Sequence, residues 1–190
     1  MGKRHLVVLF IILVIIQLAV PLNMIIQREI TLSKGNVHNF KMTLIDPYDP
    51  FRGRYVDIVV ENNFVIIEKN EEYGRGEVVY ITLKKDKDGY TAFKKVYREA
   101  PHNEEYIKTK ITYVDTWSQE EPKAYFQIPF DRYYMEEKAA PIAEQKVLEH
   151  LQKNEENVYV AVRIRKGMAV IESLFVGERT IEEMVKTRDN

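Results

Sequence analysis

The segment from Leu6 to Ile26 is the feature that most limits how this chain can fold, because its 21 residues contain no charged side chain. As a helix with a rise of about 1.5 Å per residue, the segment reaches about 30 Å, which matches the hydrocarbon core of a bilayer. Lys3 and Arg4 precede it, whereas Arg28 and Glu29 follow it and offset each other. The positive-inside rule therefore predicts a cytoplasmic N-terminus and an extracytoplasmic remainder.

Two other interpretations of this segment remain open, a cleaved signal peptide and a buried helix of a soluble domain. A signal peptide has an apolar region of about 7–15 residues that ends at small residues, whereas this segment is longer and continues as PLNMIIQRE. We interpret it as an uncleaved signal anchor in the cell membrane. Residues 1–27 are then the anchor, residues 28–178 an extracytoplasmic domain, and residues 179–190 a polar tail that is either frayed or one short helix.

The charge balance argues against a nucleic-acid-binding protein. The formal net charge is −1, with 28 basic and 29 acidic residues, and the two signs are interleaved along the chain instead of forming a basic face. The absence of cysteine is compatible with an oxidising exterior but does not require one.

Beyond the anchor, apolar residues mostly alternate with polar ones, which is typical of half-buried strands. Asp88-Gly89 suits the tight turn of a β-hairpin, and Lys166-Gly167 predicts a second turn. Alternation also predicts that Ile107, Thr109, Ile111 and Tyr113 share one face. We expect strands at residues 39–45, 54–60, 64–69, 77–84, 90–98, 106–114, 123–130, 158–166 and 168–176.

The periodicity changes to that of a helix between Ala139 and Asn154. No repeat or low-complexity linker divides the chain beyond the anchor. The sequence therefore predicts an α+β protein: a transmembrane helix, then one β-rich antiparallel domain, either barrel-like or a strongly twisted sheet, with a single main helix.

The stretch DPYDPFRGRYVDI, residues 46–58, combines turn-forming residues with both signs of charge. We interpret it as a rigid turn with local ion pairs, since Pro and Gly favour turns and the arginines neutralise the acids. Contact with a ligand or partner is the alternative, and catalysis by Asp46, Asp49 and Asp57 is a further one. A second candidate is an acidic, aromatic recess formed by YYMEE, residues 133–137, although acids before a helix are also favoured by its dipole. Together these segments give the binding candidates Tyr48, Asp49, Arg52, Arg54, Tyr55, Tyr134 and Glu136.

The stretch GRYVDIVV resembles the motif of the GDYXXLXY domain family of prokaryotic membrane-anchored proteins. Gly53 and Tyr55 match that motif, Ile58 is a conservative change, and Arg54 and Val60 differ from it. The preceding DPYDPFRG, the YYMEE before a helix and the closing VAVRIRKGMAVIESLFVGE follow that family's order of parts over residues 28–178. The resemblance implies a membrane-anchored domain of unestablished biochemical role that occurs with multi-pass membrane proteins, and it implies no catalytic residues.

The sequence thus favours a binding or accessory domain over an enzyme, and we assign no catalytic residue, metal or cofactor. His38, His102 and His150 lack the spacing of a zinc site. An envelope hydrolase that uses carboxylates and a module that binds envelope polysaccharide or peptide remain the alternatives.

Overall fold

The computed structural model describes residues 2–43, 55–117, 121–153 and 157–186. The chain begins with helix α1, Lys3–Lys34, which continues beyond the predicted span. It is long and apolar enough to cross a membrane, and none of its most apolar 18 residues is buried in the protein. The helix ends at Gly35, whose backbone N–H donates to the carbonyl of Thr31 at 2.8 Å.

Eleven strands and two further helices follow α1 in the described residues. In chain order they are β1 Asn36–Lys41, β2 Tyr55–Asp57, β3 Phe64–Ile66, β4 Val78–Lys85, β5 Thr91–Tyr97, β6 Tyr106–Asp115, β7 Lys123–Phe126, β8 Arg132–Tyr134, α2 Ala139–Lys153, β9 Val158–Arg165, β10 Met168–Val176, β11 Arg179–Thr180 and α3 Ile181–Lys186.

The strands form three antiparallel sheets, ordered β1-β9-β10-β11, β2-β8 and β3-β7-β6-β4-β5. Across the described part of the chain none of these sheets closes into a barrel. An isolated bridge between Ile107 and Gly167 joins the larger two sheets. The predicted α+β class is confirmed. Of the two predicted architectures, a barrel-like domain and a twisted sheet, the described residues form open sheets and no barrel.

The two predicted turns form as expected. Gly89 has φ +84°, and Lys166 and Gly167 have φ +50° and +82°. Such positive values are tolerated by Gly and explain why both chain reversals are tight. The main helix also forms where periodicity placed it, with Ala143 and Val147 buried.

The core lies between the sheets and helices α2 and α3. Most strands contribute to it: Phe40, Val56, Ile58, Ile81 and Ile107 are each at most 2% exposed. The C-terminal segment contributes as well, because Ile181 of α3 is fully buried. Of the two forms left open for residues 179–190, the described part is a short helix that follows β11.

The prediction that Tyr113 shares a face with Ile107 and Ile111 is wrong. The register of β6 against β7 pairs Ile111 with Phe126 and then Tyr113 with Tyr125, which places a β-bulge between Ile111 and Tyr113. A bulge inserts one extra residue and reverses the side-chain alternation after it. Tyr113 therefore lies on the outer face, 53% exposed.

Helix α1 is joined to the domain by close backbone packing. Its last turns pack on β9 and β10, where Thr31 is 2% exposed. Arg163 of β9 donates to the carbonyl of Gly35 at 3.1 Å. A Cβ added at Gly35 would lie 2.5 Å from the carbonyl oxygen of Thr31, so only glycine permits this approach. The helix is therefore fixed in direction relative to the sheet.

Candidate functional site

The structure brings together two of the predicted binding residues, Tyr55 and Tyr134. They lie directly opposite each other in the β2–β8 pair, with ring centroids 5.7 Å apart. Strand β8 itself was not predicted, because the preceding strand was expected to run to residue 130. Tyr48, Asp49, Arg52 and Arg54 lie outside the described residues, so their role stays a prediction.

Alternation along β8 sends its tyrosines to opposite faces. Tyr133 pairs with the buried Val56, and its hydroxyl donates a hydrogen bond to the carboxylate of Glu182 on α3. Burial, together with this hydrogen bond and the negative charge of Glu182, holds the pKa of Tyr133 well above its usual range. Tyr134 is instead 66% exposed.

Arg132 shares the outer face of β8 with Tyr134. Its guanidinium carbon lies 4.9 Å from the centre of the Tyr55 ring, a distance at which a cation is attracted to the π face. A hydrogen bond with Tyr134 raises the pKa of Arg132, so this cation is held in place by two aromatic residues. Sequence analysis missed Arg132, although it directly precedes the two tyrosines that were noticed.

Glu136 is exposed, and its backbone has a structural role at the start of α2. Its carbonyl oxygen accepts hydrogen bonds from the N–H groups of Ala139 and Ala140, both at 3.0 Å. The position of Glu136 before the helix is thus explained by the first helical turn. The acidic side chain adds nothing to the tyrosine pair in the described contacts.

A cavity of about 360 Å³ adjoins this surface, and we call it the Arg28 cavity. Helix α1 contributes Arg28, β8 contributes Arg132 and Tyr134, and β10 contributes Ala169, Val170 and Ile171. Gln127, Pro129, Phe130 and Asp131 complete the lining. Sequence reasoning had no signal for this site, because residues about 100 positions apart meet only when α1 packs on β10.

A second polar group, which we call the His38 cluster, ties the two larger sheets together. His38 of β1 is 8% exposed, and its Nε2 lies 2.6 Å from Oε2 of Glu105. Asn36 donates to the other carboxylate oxygen of Glu105, and Nζ of Lys85 donates to the hydroxyl of Thr91 at 3.2 Å. The Thr91 hydroxyl lies 3.5 Å from His38 Nδ1, which is long for activation of a nucleophile.

The His38 cluster was missed because the strand was predicted to begin one residue after His38. His38 continues the inward pattern of Phe40 and Met42, and that spacing was a usable signal. Every buried side-chain nitrogen or oxygen of the described residues has a hydrogen-bond partner. The cluster is thus a satisfied cross-link, which explains its residues without any reaction.

The described residues contain no group of three or more His, Cys, Asp or Glu side chains placed to hold a metal ion. The surface around Tyr55 and Tyr134 presents aromatic rings and the guanidinium group of Arg132 beside the Arg28 cavity. The model of a protein family described as GDYXXLXY protein matches residues 17–174. No curated protein and no solved structure matches the chain.

Proposed function

The chain belongs to the GDYXXLXY family, and we propose that it is a single-pass membrane protein whose folded part acts by binding. In this proposal residues 1–27 anchor the chain in the cell membrane, with the N-terminus in the cytoplasm and the folded part, residues 28–178, outside. It serves as an accessory subunit of a multi-pass membrane protein.

The observation that carries this proposal is that the apolar part of α1 is not buried in the folded domain. Its apolar side chains surround the helix, and none of its most apolar 18 residues packs on the domain. A helix that is apolar on all sides is stable when lipid or other membrane helices surround it. The junction at Gly35 then transmits any helix contact in the bilayer to the orientation of the sheets.

The proposal is tested by crosslinking in intact cells followed by purification through a C-terminal tag. The native chain is compared with a variant in which residues 6–26 are replaced by an unrelated Leu/Ala segment of equal length. We expect a multi-pass protein in both samples if the domain makes the contact, and in the native sample alone if the span does. Its absence from both samples, with both chains in the membrane fraction, contradicts the accessory role.

A second candidate, binding of an envelope polysaccharide, is favoured by aromatic residues on the outer face of the five-stranded sheet. Tyr113 and Tyr125 stack with centroids 4.3 Å apart and an interplanar angle of 7°. Phe64 lies 5.3 Å from Tyr125, and the Nζ of Lys123 lies 4.7 Å from the Phe64 ring centre. An exposed ring such as that of Tyr113 can stack on a sugar. Loss of cosedimentation with cell walls in Tyr113→Ala, but not in Tyr97→Ala on the same sheet, supports it; equal cosedimentation excludes it.

A further inference from the structure

The position of the Arg28 cavity relative to a bilayer follows from the sequence of α1. Arg28 is the first charged residue after the apolar segment and lies two residues beyond Ile26, which is about 3 Å along a helix. If the apolar segment spans the hydrocarbon core, Arg28 lies at its boundary, where lipid headgroups begin. Every other residue that lines the cavity is held near this level by the packing of α1 on β10.

The described lining of the cavity has an excess of positive charge. Arg28 and Arg132 both line it, and among the described residues of the lining only Asp131 has a negative charge. No salt bridge within 4.0 Å joins either arginine to a carboxylate of the described residues. Arg98 and Arg163 differ in this respect, since each contacts a glutamate, at 2.8 Å and 2.7 Å.

The aromatic residues beside the cavity have the chemistry of a membrane interface. Tyrosine is enriched at the level of the headgroups, where its ring contacts apolar chains and its hydroxyl remains hydrated. Tyr134 lines the cavity, and the ring of Tyr55 contacts the ring of Tyr134. Arg132 contacts the ring face of Tyr55 and forms a hydrogen bond with Tyr134, so its planar guanidinium is positioned before any ligand arrives. Guanidinium groups bind phosphate through paired hydrogen bonds.

We propose that the Arg28 cavity binds the headgroup of an anionic phospholipid in the leaflet on the domain's side of the membrane. The phosphodiester lies between Arg28 and Arg132, Tyr134 contacts the headgroup, and the acyl chains follow the apolar surface of α1. This proposal rests on the membrane anchoring proposed above. It does not depend on a multi-pass partner. In this proposal the surface of Tyr55 and Tyr134 contacts lipid.

The test uses the full chain, solubilised with an equimolar mixture of phosphatidylglycerol and phosphatidylcholine, and counts bound lipids by native mass spectrometry. We expect one retained phosphatidylglycerol in preference to phosphatidylcholine, whose choline offsets the phosphate charge. In the double variant Arg28→Gln plus Arg132→Gln this preference falls about tenfold, because two charge-assisted contacts are lost. Arg75→Gln, at an exposed arginine remote from the cavity in sequence, is the matched control and keeps the preference.

Three results overturn the proposal. They are an equal preference in the native chain and the double variant, an equal loss in Arg75→Gln, and displacement of the lipid by excess inorganic phosphate, which points to a soluble anion. Arg132→Lys keeps the charge and retains part of the preference, so it separates a binding defect from a folding defect. Cosedimentation of each variant with vesicles is measured separately, so failed anchoring is distinguished from failed lipid selection.

Discussion

The His38 cluster and the Arg28 cavity both contain charged side chains, but these charges have different partners. In the cluster, Glu105 receives hydrogen bonds from both Asn36 and His38. In the cavity, Arg132 has aromatic partners and no salt bridge to a described carboxylate. Groups that are paired within the protein stabilise it, whereas positioned but unneutralised cations are available to a ligand. The comparison therefore separates a structural site from a binding site.

Gly35→Ala is expected to have the largest effect on stability and on lipid preference, because the cavity exists only while α1 packs on β10. In Gly35→Ala the new Cβ meets backbone atoms of Thr31 and Ile164 at 2.5 Å and 3.1 Å. We expect the free energy of unfolding to fall by about 2–3 kcal/mol, as in overpacked sites, and lipid preference to be lost with it. Denaturation in detergent, followed by circular dichroism, measures this. Gly74→Ala, where the nearest atom is 3.7 Å away, is the control; an equal effect there would show that the junction is not tightly packed.

The next prediction compares the stability cost of one substitution in the His38 cluster with that of one in the Arg28 cavity. Glu105→Ala leaves His38 and Asn36 without their carboxylate partner, and we expect it to lower the free energy of unfolding by about 1–2 kcal/mol. Arg132→Gln removes a surface cation–π contact and is expected to cost less than about 1 kcal/mol. The same denaturation experiment applies to both variants. If Arg132→Gln is the more destabilising, the assignment of structural and binding roles is reversed.

The smallest expected change in stability comes from replacing the tyrosines of β8, Tyr133 and Tyr134, which are expected to differ. Tyr133→Phe removes the hydrogen bond to Glu182 and is expected to cost about 1 kcal/mol at neutral pH. Because the pKa of Tyr133 is raised in the folded state, its stabilisation is complete below the pKa of an unfolded tyrosine, about 10, and is lost as pH rises further. The stability difference between the native chain and Tyr133→Phe should therefore shrink above about pH 10.

Tyr134→Phe is the control on the same strand, and its exposed ring predicts a change within about 0.5 kcal/mol. Unfolding is measured at several pH values for all three chains. A difference between the native chain and Tyr133→Phe that is constant up to pH 12 would show that the hydroxyl is not buried against Glu182.

Sequence periodicity was a good guide wherever a single element determines the side-chain direction. It located α2 and put Ile107 and Ile111 on one face, which is buried, because burial of one face imposes a period of two or 3.6. It failed for Tyr113, since a β-bulge depends on pairing with β7. It also missed β8, because the preceding strand was expected to run to residue 130.

The candidate sites were harder to predict, because their residues meet only through tertiary packing. Tyr55 and Tyr134 were named separately, but nothing in the sequence indicated that they pair. His38 and Glu105 are 67 residues apart, and Arg28 reaches β8 only because α1 ends against β10. Neither contact has a local pattern from which it could be predicted.

The most direct test of the account is cysteine labelling in intact cells, since the chain contains no cysteine of its own. Lys87→Cys, in an exposed hairpin turn, and Ile16→Cys, in the apolar part of α1, are treated with a membrane-impermeant maleimide. We predict that full-length Lys87→Cys is labelled before lysis and remains in the membrane fraction, while Ile16→Cys is protected. Labelling of Lys87→Cys only after lysis, or its release from the membrane as a shortened chain, would contradict a membrane-anchored extracytoplasmic domain.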